Sequence, residues 1–217
     1  MEEIIRNISV YALPVLFAIT VRESAHAYAA KYFGDNTAFS QGRMSLNPLV
    51  HIDLLGTIVI PILTYIFTPF VFGYAKPVPV DFSRLRNPKR DMAFVSLAGP
   101  LANFIMATVW AVFLMLLVFF QVGEEFPRRV AEAGIFVNLL IMAFNLLPIP
   151  PLDGGRVLIS ILPHRLAYQF ARIEPYGFFV LLALLFLGAL RYWVLPVMQG
   201  ARWLLELVVS PLAFLLF

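Results

Sequence analysis

The chain has 217 residues, 61% of them hydrophobic and 13% charged, against about half apolar and about a quarter charged in a soluble globular chain. It reads as a membrane protein. Cysteine is absent, which excludes disulfides, thiolate-bound zinc, iron–sulfur clusters and cysteine nucleophiles together, so any metal must rest on His, Asp or Glu. The formal charge of +3 comes from Lys and Arg gathered in a few loops, a pattern that suits membrane orientation and lipid head groups; nucleic acid is not an expected partner.

A hydrocarbon core of about 30 Å needs about 20 mostly apolar residues per helix. Stretches 4–33, 52–72, 92–120, 130–147 and 176–195 approach that length, and a sixth, 197–217, follows. The expected fold is an all-α integral membrane bundle of about five or six transmembrane or membrane-embedded helices, forming one domain over 1–217. The opening residues, Met1 to Arg6, offer neither a basic n-region nor a small-residue cleavage site, so the first segment is read as a retained helix. No fixed-period repeat or low-complexity tract is present.

Three stretches depart from plain spans. Residues 34–51 contain Gly34, Gly42, Asn47 and Pro48 and read as a small re-entrant β-hairpin over 37–47, turning at Gln41-Gly42. Residues 73–91 are expected to be extended about Pro77 and Pro79 and to end in the basic run Arg84, Arg86, Lys89, Arg90. Residues 145–156 set Pro148, Pro150, Pro151, Gly154 and Gly155 around a single aspartate, Asp153. Non-helical backbone at membrane depth survives only when buried in protein or lining a wet cavity, so a cavity is expected.

Ionisable residues inside spans cost roughly 2.5–3.5 kcal/mol each at a helix centre on insertion scales and are functional by default. The first span holds three: Arg22, Glu23 and His26. Positions 22 and 26 share one helix face a turn apart, with 23 beside them. That is the spacing of H-E-x-x-H, in which two imidazoles hold Zn²⁺ and the glutamate serves as general base. Here the first imidazole is replaced by Arg22. On these residues alone, a neutralised Arg–Glu pair beside a hydrogen-bonded histidine accounts for the cluster equally well.

Further along come Gly42-Arg43-Met44-Ser45-Leu46-Asn47-Pro48, Gly73-Tyr74-Ala75-Lys76-Pro77-Val78-Pro79-Val80, Leu97-Ala98-Gly99-Pro100-Leu101-Ala102-Asn103, and Asn145-Leu146-Leu147-Pro148-Ile149-Pro150-Pro151-Leu152-Asp153-Gly154-Gly155. With these the chain resembles the site-2 protease family, zinc metalloproteases that cut peptide bonds within the membrane, over nearly its whole length. It is most similar to the compact bacterial and archaeal type that lacks a PDZ domain.

The resemblance implies Zn²⁺ as cofactor, with His26 as second ligand, Asp153 as third and Glu23 as the base that takes a proton from the attacking water. It sets Arg22 at the position of the first ligand. A guanidinium stays protonated and offers donors only. It cannot ligate Zn²⁺, and the simplest physical expectation is a site without metal, in which its charge stands in for the cation. His26 and Asp153 would be two protein ligands where a catalytic zinc usually has three. The other histidines, His51 and His164, lie in breaker-rich loops, where loop fixing and an interfacial position are the better readings. Arg22 is either a natural loss of activity or an engineered knockout.

Asn103 and Asn145 are buried amides that need partners. A helix–helix hydrogen bond, with Gly99 allowing close approach, is one account. The other, supported by the resemblance, is that they bind an unwound substrate backbone or polarise its scissile carbonyl. The 37–47 hairpin would take up the extended chain by strand addition.

A shared site requires 22–26 and 153 at one depth, hence an even number of crossings between 33 and 92, with 34–51 or 52–72 re-entrant. Loops 31–51, 73–91 and 154–173 then share one side with ten basic residues against four opposite, Arg6, Arg128, Arg129 and Arg191. The basic side is cytoplasmic by rule, which sets the site toward the cytoplasm of a prokaryotic cell membrane and the N-terminus outside. The leading function is hydrolysis of peptide bonds in transmembrane segments of protein substrates, with this chain inactive. The alternatives are a pseudoprotease that captures transmembrane helices and a small transporter or channel subunit.

Overall fold

The computed structural model describes residues 2–51, 53, 56, 59 and 76–216. Eight α-helices occur among them: α1 Glu2–Phe33, α2 Thr37–Ser40, α3 Pro88–Phe119, α4 Glu125–Asn145, α5 Asp153–Ile161, α6 His164–Ala171, α7 Gly177–Phe186 and α8 Arg191–Leu216. Three segments, Arg6–Phe33, Pro88–Phe119 and His164–Phe186, are long and apolar enough to cross a bilayer. The last is built from α6, the 3₁₀ turn Glu174–Tyr176 and α7. The chain is a helical membrane bundle, and its described residues contain no strand.

Helix α3 is the hub, packing against α1, α4, α5 and α8. Its small residues let neighbours approach: Ala107 and Ala111 meet Leu139 and Met142 of α4 and Ala201, Leu205 and Val209 of α8 in one buried cluster. Among helices in lipid, such small side chains permit the close packing that replaces a hydrophobic driving force. A second cluster joins Val10 of α1 to Val130 and Ala133 of α4 beneath Trp110. These contacts bring α1, α3 and α4 side by side.

Several expectations are corrected. The hairpin over 37–47 is not formed: Thr37–Ser40 is one helical turn, followed by a turn at Gln41-Gly42. The cause is Asp35, fully buried, whose carboxylate accepts from Thr37 N at 2.9 Å and Thr37 Oγ1 at 2.5 Å. It also accepts from Asp81 N at 2.8 Å. Such local bonds from an aspartate compete with strand formation. The turn then buries Ala38 against Ala27 and Val78.

The stretch 130–147 belongs to a helix that begins earlier, at Glu125, and ends at Asn145. Stretches 176–195 and 197–217 divide differently, because the chain turns after Phe186. Gly188 adopts φ +65, with Ala189 N bonded to Leu184 O at 2.9 Å and Gly188 N to Leu185 O at 3.0 Å. This is a left-handed helix stop, and α8 restarts at Arg191. The stretch 52–72, and the question of its re-entry, fall almost wholly outside the described residues. Residues 76–80 are non-helical, in line with Pro77 and Pro79.

Candidate active site

The centre of the bundle gathers Arg22, Glu23 and His26 from α1 with Asn145 from the end of α4 and Asp153 from the start of α5. Glu23, His26, Asn145 and Asp153 are all buried. Asp153 reaches this point because 146–150 packs against the start of α5, where Gly154 and Gly155 meet its backbone. A Cβ at Gly154 would lie 2.1 Å from Leu146 O, so only glycine lets the first turn of α5 seat on that loop. The L-D-G-G run therefore serves to aim one carboxylate at α1.

Arg22 closes the cluster. Its Nη2 donates to Asp153 Oδ2 at 2.7 Å and to Asn145 Oδ1 at 2.8 Å. Its Nη1 donates to Glu23 Oε1 at 2.5 Å. The second Glu23 oxygen accepts from Val78 N at 2.8 Å. Pro77 and Pro79 carry no N–H, so this is the sole backbone donor of 77–79, and it is spent on Glu23. Charge-assisted bonds of this kind are short and strong, which is how two carboxylates stay buried together.

His26 sits against α3. Its Nδ1 lies 2.8 Å from Val95 O; a carbonyl only accepts, so Nδ1 carries the proton. Nε2 is buried without a hydrogen-bond partner and faces Asp153 Oδ2 at 3.4 Å. A Cβ on Gly99 would come within 2.2 Å of that nitrogen; the missing side chain is what gives the imidazole its room. A ring fixed at Nδ1 by a carbonyl, with Nε2 left open, is the preparation that a metal-ligating histidine needs.

The full set nevertheless does not fit zinc. Arg22 Nη2 already occupies the Asp153 oxygen that faces His26, and it brings a positive charge with no lone pair. Two candidate ligands remain where a catalytic site has three. Among the described residues no group of three His, Asp or Glu side chains is arranged to hold a metal ion. His51 does not join them: it is buried, with Nε2 2.8 Å from Ser45 O, the same carbonyl that accepts from Ser24 Oγ at 2.5 Å. His164 begins α6 and is exposed.

The two asparagines part company. Asn145 touches Arg22, and its amide Nδ2 donates to Ile141 O at 2.8 Å. Asn103 is fully buried and donates to Ala18 O at 3.1 Å and Asn138 Oδ1 at 3.0 Å. Asn138 in turn donates to Gly134 O at 2.8 Å. These amides tie α1, α3 and α4 together. Asn138 escaped the sequence reading, though an amide in an apolar helix was the available signal; the Val95 carbonyl and the Val78 amide had none.

Residues 127–188 match the model of "Peptidase family M50". The chain is 34% identical over 197 residues, 88% of its length, to "Putative zinc metalloprotease YwhC" of Bacillus subtilis, 86% of which is covered. It is 29% identical over 183 residues to "Putative zinc metalloprotease Rip2" of Mycolicibacterium smegmatis, covering 82% of this chain and 67% of that protein. A shorter match, 34% over 82 residues, reaches "Zinc metalloprotease MJ0392" of Methanocaldococcus jannaschii, 37% of this chain and 23% of that one. No solved structure matches at comparable significance. On this likeness, over nearly nine-tenths of its length, the chain belongs to peptidase family M50, the site-2 proteases.

Proposed function

We propose that the chain is an intramembrane protease scaffold of the site-2 type, built to hydrolyse peptide bonds in transmembrane segments and held inert by Arg22. The observation that carries this reading is the guanidinium bonded at once to Asp153 at 2.7 Å and Glu23 at 2.5 Å. It neutralises both carboxylates from the position where the family has its first histidine. His26 and Asp153 stand at the family's two other ligand positions, Glu23 at that of the base, and Asn145, whose amide touches Arg22, is the residue we assign to the scissile carbonyl. Asn103 we assign to the helix tie with Asn138.

The whole of 1–217 acts as one membrane-embedded domain, with the site toward the cytoplasmic, basic side of a prokaryotic cell membrane. The substrate is a transmembrane helix that must unwind, since its backbone amides are engaged until it does. As it stands the chain can seat such a helix without cutting it. A transporter relay has less support, because Arg22, Glu23 and Asp153 close on one another and do not string out along a path.

The test is zinc content per chain together with cleavage of a single-span model substrate, for this chain and for Arg22→His. Little zinc and no cleavage are expected of the unchanged chain, and both should appear on substitution. Stoichiometric zinc in the Arg22 protein would overturn the reading.

A further inference from the structure

A groove of about 400 Å³ runs between the 82–92 segment and the α5–α6 pair. Its walls are apolar, formed mainly by Phe82, Met92, Ile159 and Ala167. Ser83, Lys89 and His164 line it as well, and Ser83 and His164 are exposed, so its polar groups lie at the rim. The Lys89 ammonium donates to Leu162 O. That bond pins the charge at the groove while leaving two of its donors free.

The charge around the groove is one-sided. Asp81 is paired with Arg84 at 3.0 Å, and Glu174 lies 3.4 Å from Arg156. Asp91 is buried and accepts from Asn87 N at 2.8 Å. Arg86, Arg90 and Arg165 are exposed, and no carboxylate among the described residues pairs with them or with Lys89. Beside this positive rim, Ile161, Leu166 and Tyr168 are exposed by 70%, 49% and 69%. Apolar and aromatic surface next to arginines is what the end of a membrane segment presents at the interface, and α6 opens the segment His164–Phe186.

An apolar trough with a cationic mouth at that depth calls for an occupant with a hydrocarbon chain and an anionic head. We propose that the groove holds one anionic phospholipid, with an acyl chain along Phe82, Met92 and Ile159 and the phosphate on Lys89, Ser83 and His164. None of these residues belongs to the Arg22 cluster, so the site does not depend on the protease reading. Its position matters all the same: Lys89 lies on α3, which carries Val95, and Ile159 on α5, which carries Asp153. A bound lipid braces the two helices that hold His26 and Arg22 in register.

The experiment uses the purified full chain in neutral detergent with phosphatidylglycerol, phosphatidylcholine of the same acyl chains, or free glycerol phosphate. Lipid retention is read by native mass spectrometry and thermal stability in parallel. One basic side chain near a membrane surface is worth about 1 kcal/mol, or about fivefold in affinity. Phosphatidylglycerol should therefore be retained over phosphatidylcholine, and Lys89→Gln should cost about fivefold. Ala167→Trp, which fills the groove and leaves the charge, should abolish the preference, and it decides the matter if Lys89→Gln folds poorly. Equal retention of the two lipids, or a preference surviving both substitutions, would overturn the proposal. So would stabilisation by glycerol phosphate alone, or displacement of the lipid by an acidic peptide that binds more tightly.

Discussion

Arg22 and Asp153 stand 131 residues apart in the chain and 2.7 Å apart in space. The guanidinium faces two carboxylates. Removing one member of a buried ion group typically costs about 3–5 kcal/mol, because the remaining charge is left unpaired. Arg22→Ala should lower thermal stability in detergent by an amount in that range. Adding Asp153→Ala should restore part of the loss. A double-mutant cycle reads the coupling, and its absence would mean that the guanidinium contributes elsewhere.

Gly99 has the opposite character, since its importance lies in what is missing. A Cβ there would lie 2.2 Å from His26 Nε2 and 2.5 Å from its Cε1. Gly99→Ala must push the ring off Val95 O or separate α1 from α3. Overpacking of this kind costs about 1–3 kcal/mol. In the Arg22→His background the same substitution should cut zinc retention well beyond what its effect on stability explains. Equal metal content with and without Gly99→Ala would show that the imidazole has another place to go.

The long helices were legible because apolar runs at bilayer length admit few other structures. Stretch 4–33 becomes Glu2–Phe33 and 92–120 becomes Pro88–Phe119. The hairpin at 37–47 was misread because the deciding group, Asp35, lies outside the stretch and finds its other partner at Asp81. The stop at Gly188 was missed because it interrupts a run that hydropathy reads as continuous. In the cluster, an Arg22–Glu23 pair was legible from spacing, and Asp153 was set beside them only by the resemblance to the site-2 proteases; the structure pairs Arg22 with both carboxylates. The groups that orient Glu23 and His26 were not legible, since a backbone N–H or carbonyl carries no signature of its own.

Val78 tests one of those silent groups. Its N–H is the bond that holds Glu23 Oε2, at 2.8 Å and buried. Val78→Pro deletes the donor while preserving the prolines on either side, and a buried acceptor left without its donor costs about 1–3 kcal/mol. A fall in thermal stability of that order is expected. Combined with Glu23→Gln the penalty should shrink, because a neutral amide loses less than a carboxylate when the donor is withdrawn. Additive effects of the two substitutions would show that Val78 acts through packing against Ala27 and Ala38.

Asn103 and Asn138 allow the tie and the substrate-binding roles to be separated. Both are fully buried, and each NH2 group donates inside the bundle, to a helix carbonyl or to the other amide, while Asn103 Oδ1 is buried without a partner. Asn103→Leu leaves Asn138 Oδ1 without its donor and takes from Ala18 O the bond it receives besides its helical one, at about 1–3 kcal/mol for a stranded buried group. The double substitution Asn103→Leu, Asn138→Leu removes both sides of the side-chain bond, and should cost less than the sum of the singles. In the Arg22→His background, cleavage corrected for folded protein should then survive Asn103→Leu and fall with Asn145→Leu, whose amide lies against residue 22. Loss of turnover with unchanged stability in Asn103→Leu would return that residue to the substrate.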